Sequence, residues 1–178
     1  MEYRGIKINI VLLIIIIAMI LYFTGNFIIN KYNVEKPLID EIKAIEGIED
    51  IELNEENNKT KLKIKLTNNG DLYNVYKNVD NIASEKIDNY EIVVNNEENN
   101  NLQLVYFKLH YSIFEGIATK KFTVMNENIK EIAEKNNLKY YNLRIDSENV
   151  YLKLADNNSV FYYIIPRNSD NRGGENVG

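Results

Sequence analysis

The chain contains no cysteine. That excludes a disulfide framework, a thiolate zinc site, a cysteine nucleophile and a lipid-modified cysteine, and it leaves either side of a membrane open. Histidine is almost as scarce, because His110 stands alone. It has no second histidine one helical turn away and no HExxH neighbourhood, so no histidine metal site is encoded. No serine is tied to it by a motif, and beside Tyr106, Leu109, Ile113 and Phe114 it reads as a residue at the edge of an apolar helix stripe. The patterns G-x-x-x-x-G-K-[ST], G-x-G-x-x-G and G-x-S-x-G are missing, and with them the common phosphate loops and the esterase elbow. Basic surface is lacking too. A net charge of −5 argues against a nucleic-acid partner, whose phosphates need neutralising. No catalytic residue, cofactor site or metal ligand emerges, and an enzyme is not expected.

Asparagine, by contrast, makes up about one residue in six. Together with abundant Ile, Lys and Tyr, this reflects a bias toward AT-rich codons rather than a function. Runs such as "NNEENNN" (95–101) read as solvated turns. The acidic pairs Asp40 with Glu41, Glu49 with Asp50, Glu55 with Glu56 and Glu97 with Glu98 fall on helix surfaces, in strand alternation or in loops. Paired carboxylates work as acid and base only where a cleft drives their pKa values apart, so these are read as solvated charge.

The longest apolar run is "INIVLLIIIIAMILYFTGNFIIN", Ile8 to Asn30. Its apolar length of about 20 residues, at ~1.5 Å each, matches the ~30 Å hydrocarbon layer. A core helix would show a polar face, and this one is apolar all round. A cleaved signal needs a small-x-small site, and none follows. The expectation is an uncleaved transmembrane helix over 8–29, with a short cytoplasmic tail at 1–7 and a linker at 30–36. Arg4 and Lys7 on one side and Lys31, Lys36 and Lys43 on the other leave the positive-inside comparison undecided. A tail this short stays in the cytoplasm in a signal-anchor. The expected location is therefore the cell membrane, single-pass, with the C-terminal domain extracytoplasmic.

Residues 37–166 read as a compact α+β domain, with possible subdomains at 37–95 and 101–166. Pro37 suits the first turn of a helix carrying Leu38, Ile42 and Ile45, and Gly47 is placed to end it with a left-handed residue. "EDIELN" alternates Ile51 and Leu53 with acids, and "KLKIKLT" alternates Leu62, Ile64 and Leu66 with lysines. These are two half-buried strands whose lysines and acids would pair across a hairpin. "NEENNKT" connects them as a long turn. Asn69 or Asp71 can cap the next helix, with Leu72, Val75, Tyr76, Val79, Ile82 and Ala83 on one stripe. "YEIVV" is a third strand. The order α-β-β-α-β predicts a three-stranded sheet with two helices on one face.

That element order, beside a single span, resembles the ring-building motif of extracytoplasmic domains in bacterial secretion and sporulation complexes. The resemblance covers residues 37–95 and rests on order and placement, without a sequence motif. It is an analogy of fold only.

The second half predicts α-α-β-β-β. "NLQLVYFKLHYSIFEGIATKKF" fits a helix through Leu102, Val105, Tyr106, Leu109, Ile113 and Ile117, although its first six residues also alternate like a strand. The acids and asparagines ahead of it favour the helix. Gly116 marks close helix packing, and Lys120 and Lys121 mark the C-terminal end. "MNENIKEIAEKNNL" (125–138) is the second helix, with Ile129, Ile132 and Ala133 inward. Three strands follow as an antiparallel meander. Tyr141, Leu143 and Ile145, then Val150, Leu152 and Leu154, then Val160, Tyr162 and Ile164 are read as the packed face. Pro166 ends the last strand, and 167–178 is expected to be disordered.

On that assignment Tyr140, Tyr151, Phe161 and Tyr163 form a second, aromatic face, exposed or covered by a partner. They are the candidate interaction surface. The first functional expectation is a membrane-anchored, non-enzymatic protein whose partners are the lipid bilayer and either another protein or further copies of itself. The alternatives are a module binding an envelope ligand through the aromatic face, and an enzyme of a type that leaves no motif.

Overall fold

The computed structural model describes residues 2–3, 6–30, 35–96 and 99–168, and between residues 6 and 30 it describes side chains at 11–23. Two short strands, β1 (Glu2–Tyr3) and β2 (Ile6–Lys7), pair antiparallel where only a tail was expected. Helix α1 (Ile8–Asn30) follows, 23 residues without a charged side chain. Every side chain from Val11 to Phe23 is exposed. Among the described residues no helix is long and apolar enough to cross a membrane. The stretch 11–23 covers roughly 20 Å at ~1.5 Å per residue, short of the ~30 Å hydrocarbon layer. The transmembrane expectation over 8–29 thus extends, at both ends, past the side chains described. Of the expected linker, residues 31–34 lie outside the described residues.

The first half builds α2 (Lys36–Lys43), β3 (Ile48–Glu56), β4 (Lys59–Leu66), α3 (Leu72–Lys86) and β5 (Tyr90–Val94). Helix α2 carries its proline in the first turn, as expected, but ends at Lys43 with Ala44 as its cap. Gly47 has the positive φ of 98° that suits glycine, and it serves a turn into β3 rather than the helix end. A side chain there would also meet the Gly70 backbone at 3.2 Å. The hairpin differs from expectation. Its strands run on through the acids to a two-residue turn at Asn57 and Asn58, both with positive φ. That is the primed turn whose twist matches the strands, and asparagine tolerates it. Glu52 faces Lys63 and Asp50 faces Lys65 in the register. Strand β5 adds parallel to β4, giving the order β3-β4-β5. Leu38 and Ile42 of α2 join Leu72, Val75, Tyr76, Val79 and Ala83 of α3 over the Ile51, Leu62, Ile64 and Ile92 face. Asp71 caps α3 by accepting the Asn74 N–H at 3.2 Å, which chooses it over Asn69.

The second half builds α4 (Asn100–Thr119), α5 (Phe122–Lys135), β6 (Tyr140–Ile145), β7 (Asn149–Ala155) and β8 (Val160–Pro166). Helix wins over strand at 101–106 because the Asn99 side chain accepts the Asn101 and Leu102 N–H groups, both at 3.0 Å. Lys120 takes a left-handed φ of 58° and ends α4, so α5 begins at Phe122, three residues before the expected start. Gly116 is buried against α5. A β-carbon on it would sit 2.6 Å from the Met125 β-carbon, so the glycine sets how closely the two helices approach. The meander β6-β7-β8 is antiparallel, as expected. One face packs on α4 and α5 through Leu102, Leu109, Ile113, Met125 and Ile129. The other face joins the core of the first half, to which Tyr151 and Tyr162 belong.

The start of the expected disordered tail is attached. Arg167 donates its N–H to the Glu148 carbonyl at 2.8 Å and lays its guanidinium 4.8 Å from the Phe122 ring centre. Residues 169–178 lie outside the described residues.

Candidate functional site

Tyr140, Tyr151, Phe161 and Tyr163 do not share a face. In the register Tyr151 lies between Arg144 and Ile164, while Phe161 lies opposite Leu154 and Tyr163 opposite Leu152. Phe161 and Tyr163 therefore point to the side of α4 and α5, and the residues expected there, Val160, Tyr162 and Ile164, point to the first half. The correction has a simple cause. "VFYYII" is apolar or aromatic at every position, so alternation carries no phase, and pairing with β7 sets it. Tyr163 stacks on Tyr106 of α4 with ring centres 3.6 Å apart and on Phe161 at 5.0 Å. Burial pushes its hydroxyl pKa up, and the Tyr106 hydroxyl adds to the effect.

Tyr140 and Tyr151 stay together, on the face toward α3. There Tyr151 is 2 % exposed, its ring meeting Tyr73 edge-on at 5.2 Å and Tyr76 at 5.3 Å. The expected open face is thus covered by the chain itself, and only Tyr140, at 49 %, remains exposed.

Beside them lies a cleft of about 160 Å³ lined by Asn69–Tyr73, Tyr140, Asn142, Arg144, Tyr151 and Lys153. It sits where the start of α3 meets the sheet. Both of its cations are engaged within the chain. Arg144 pairs with Asp71 at 3.1 Å and lies 5.5 Å over the Tyr73 ring. Lys153 donates to the carbonyls of Asn68 at 2.8 Å and Gly70 at 3.1 Å. Burial lowers the Lys153 pKa, with Asp71 acting against that shift. The volume is below the ~300 Å³ where pockets for small organic ligands begin.

A line of hydrogen bonds continues from the cleft. Asp146 accepts from Lys77 at 2.8 Å, from the Tyr151 hydroxyl at 2.9 Å and from the Asn149 N–H at 2.8 Å. Burial alone would raise the Asp146 pKa. Hydrogen bonds from Lys77, from the Asn149 and Glu148 N–H groups and from Tyr151 outweigh it and bring the value down to about 2. Farther along, the Tyr162 hydroxyl donates to the Thr67 carbonyl at 2.8 Å, and burial raises its pKa to about 12. The Asn96 side chain then pairs with the Tyr162 backbone like a neighbouring strand, donating to its carbonyl at 2.9 Å and accepting its N–H at 2.8 Å. Among the described residues no buried side-chain nitrogen or oxygen lacks a partner. Such a network holds the two halves in register. Among the described residues, no group of three or more histidines, aspartates and glutamates could hold a metal ion.

His110 lies on α4 with its ring 4.3 Å from Phe114 and 6.0 Å from Tyr106, an aromatic neighbour rather than part of the cleft. The surface that sequence reasoning missed is next to it. Leu104, Phe107, Tyr111 and Phe114 are exposed on α4, opposite its buried residues, and Val124 of α5 is exposed nearby in sequence. The spacing of three, four and three residues was the available signal. It was hidden because the inward stripe already accounted for a helix.

No protein-family model, no curated protein and no solved structure matches this chain.

Proposed function

We propose that the chain is a single-pass, membrane-anchored, non-enzymatic protein whose α+β head lies outside the cytoplasm and acts by making contacts. The observation that carries this reading is α1. Its twelve large apolar side chains between Val11 and Phe23 are all exposed. At ~1.5–3 kcal/mol for burying each, leaving them in water forfeits on the order of 20 kcal/mol, more than a typical domain's whole stability. A bilayer removes that cost. The full 23-residue helix, at ~1.5 Å per residue, measures ~35 Å, comparable to the ~30 Å hydrocarbon layer.

Alkaline extraction of native membranes, combined with a C-terminal reporter active only outside the cytoplasm, tests both parts. The expected result is a full-length chain retained in the pellet with an active reporter. Release into the supernatant would overturn the anchor, and a silent reporter on a retained chain would overturn the orientation.

A further inference from the structure

We infer that the outer face of α4 is a membrane-contact surface, by which the head lies down on the bilayer that anchors it; this rests on the anchor reading above. Outside α1, six large apolar residues are exposed among the described residues: Leu104, Phe107, Tyr111, Phe114, Val124 and Tyr140. Four of the six share one face of α4, so most of the exposed apolar surface of the head is gathered in one place rather than scattered. Helix α4 buries Leu102, Leu109 and Ile113 on one side and carries Leu104, Phe107, Tyr111 and Phe114 on the other. A helix apolar on two opposite faces needs two covers, and the chain supplies one.

Three observations select lipid as the second cover. First, the residues are of the interfacial kind, aromatic rings with a hydroxyl at Tyr111, which is 80 % exposed. Second, charge favours it. Lys108, Lys120 and Lys121 outnumber Glu115 between residues 100 and 121, in a chain whose net charge is −5. This part of an acidic protein is attracted to anionic headgroups. Third, Asn30 and Lys36 are separated by residues 31–35, a tether reaching at most ~22 Å when extended. It keeps the head at the bilayer surface, where even a weak contact is populated.

The chain has no tryptophan, so one introduced reporter is unambiguous. The full chain is reconstituted with Tyr111→Trp or, separately, Phe23→Trp in vesicles of mixed phosphatidylcholine and phosphatidylglycerol, with and without brominated acyl chains. Both reporters are expected to be quenched by the brominated lipid, the Tyr111→Trp emission lying to the blue of a water-exposed indole. A quenched Phe23→Trp beside an unquenched, water-like Tyr111→Trp overturns the inference and leaves the anchor standing. Blue-shifted Tyr111→Trp emission without lipid quenching overturns it in favour of a protein cover, such as a second copy. An unquenched Phe23→Trp overturns the anchor and the inference together.

Discussion

In the sheet β3-β4-β5, the face turned away from α2 and α3 carries Lys61, Lys63 and Lys65 opposite Asn54, Glu52 and Asp50. In β6-β7-β8, the face turned away from α4 and α5 carries Arg144, Tyr151, Lys153 and Tyr162, and α3 closes over it. The first arrangement is content in water. Lys65 reaches Glu49 at 3.0 Å, Lys43 reaches Asp50 at 2.8 Å, and Lys59 reaches Glu91 across the parallel pair at 3.0 Å. Such exposed pairs contribute ~0–1 kcal/mol each. The second arrangement is amphipathic rather than charged. Tyrosine rings supply area to bury, and their hydroxyls reach Asp146 and Thr67 at the rim. The difference teaches how a small sheet declares its second partner: alternating charge leaves a face open, and tyrosine with an internally paired lysine closes it.

The largest test of that contrast is Tyr151→Ser. It removes a buried ring held by Tyr73 and Tyr76 and the hydroxyl that donates to Asp146. The expected loss is roughly 3–5 kcal/mol, read as a lower denaturant midpoint for the detergent-solubilised chain. A loss below about 1 kcal/mol would mean that the covered face is not held together as described.

Acid sharpens the comparison next. The Asp146 pKa falls from 3.8 to about 2 on folding, so the unfolded chain binds the proton more readily. Its contribution is complete above about pH 4 and disappears as pH drops through about 2. At ~1.36 kcal/mol per pKa unit it amounts to about 2 kcal/mol. Asp146→Asn should therefore be less stable than the parent near neutrality, the two converging toward pH 2. Parallel stability curves across that range would show that the seam does not depend on this carboxylate.

The smallest effect belongs to the open sheet. Lys63→Ser, opposite Glu52, should leave the unfolding free energy within about 0.5 kcal/mol. A larger loss would show that this face too is covered.

Much of the architecture was legible because local periodicity suffices for it. Ile51 and Leu53, and Leu62, Ile64 and Leu66, alternate with charges, and so their strands and inward faces can be read directly. The stripe of α3 and its cap at Asp71 are equally local. Other features were hidden for identifiable reasons. The β3–β4 turn at Asn57 and Asn58 sits inside a run of acids and asparagines that lies on an open face, where polarity does not stop a strand. The face of β8 was misassigned because six consecutive apolar positions contain no phase. The cleft residues Arg144 and Lys153 carry no local signal, since a cation within a strand looks the same whether solvent or a carbonyl receives it.

The sequence by itself determined the apolar rod of α1, the order of the helices and strands that follow, and the two faces of the first sheet, because each depends on neighbours within a few residues. Only the tertiary structure decided which side of β8 is inward, that Tyr151 is buried and that α4 is left with an apolar side uncovered. Those outcomes depend on residues distant in the chain, Tyr73 and Tyr76 over Tyr151 above all, and burial follows from what is brought against a face rather than from what the face carries.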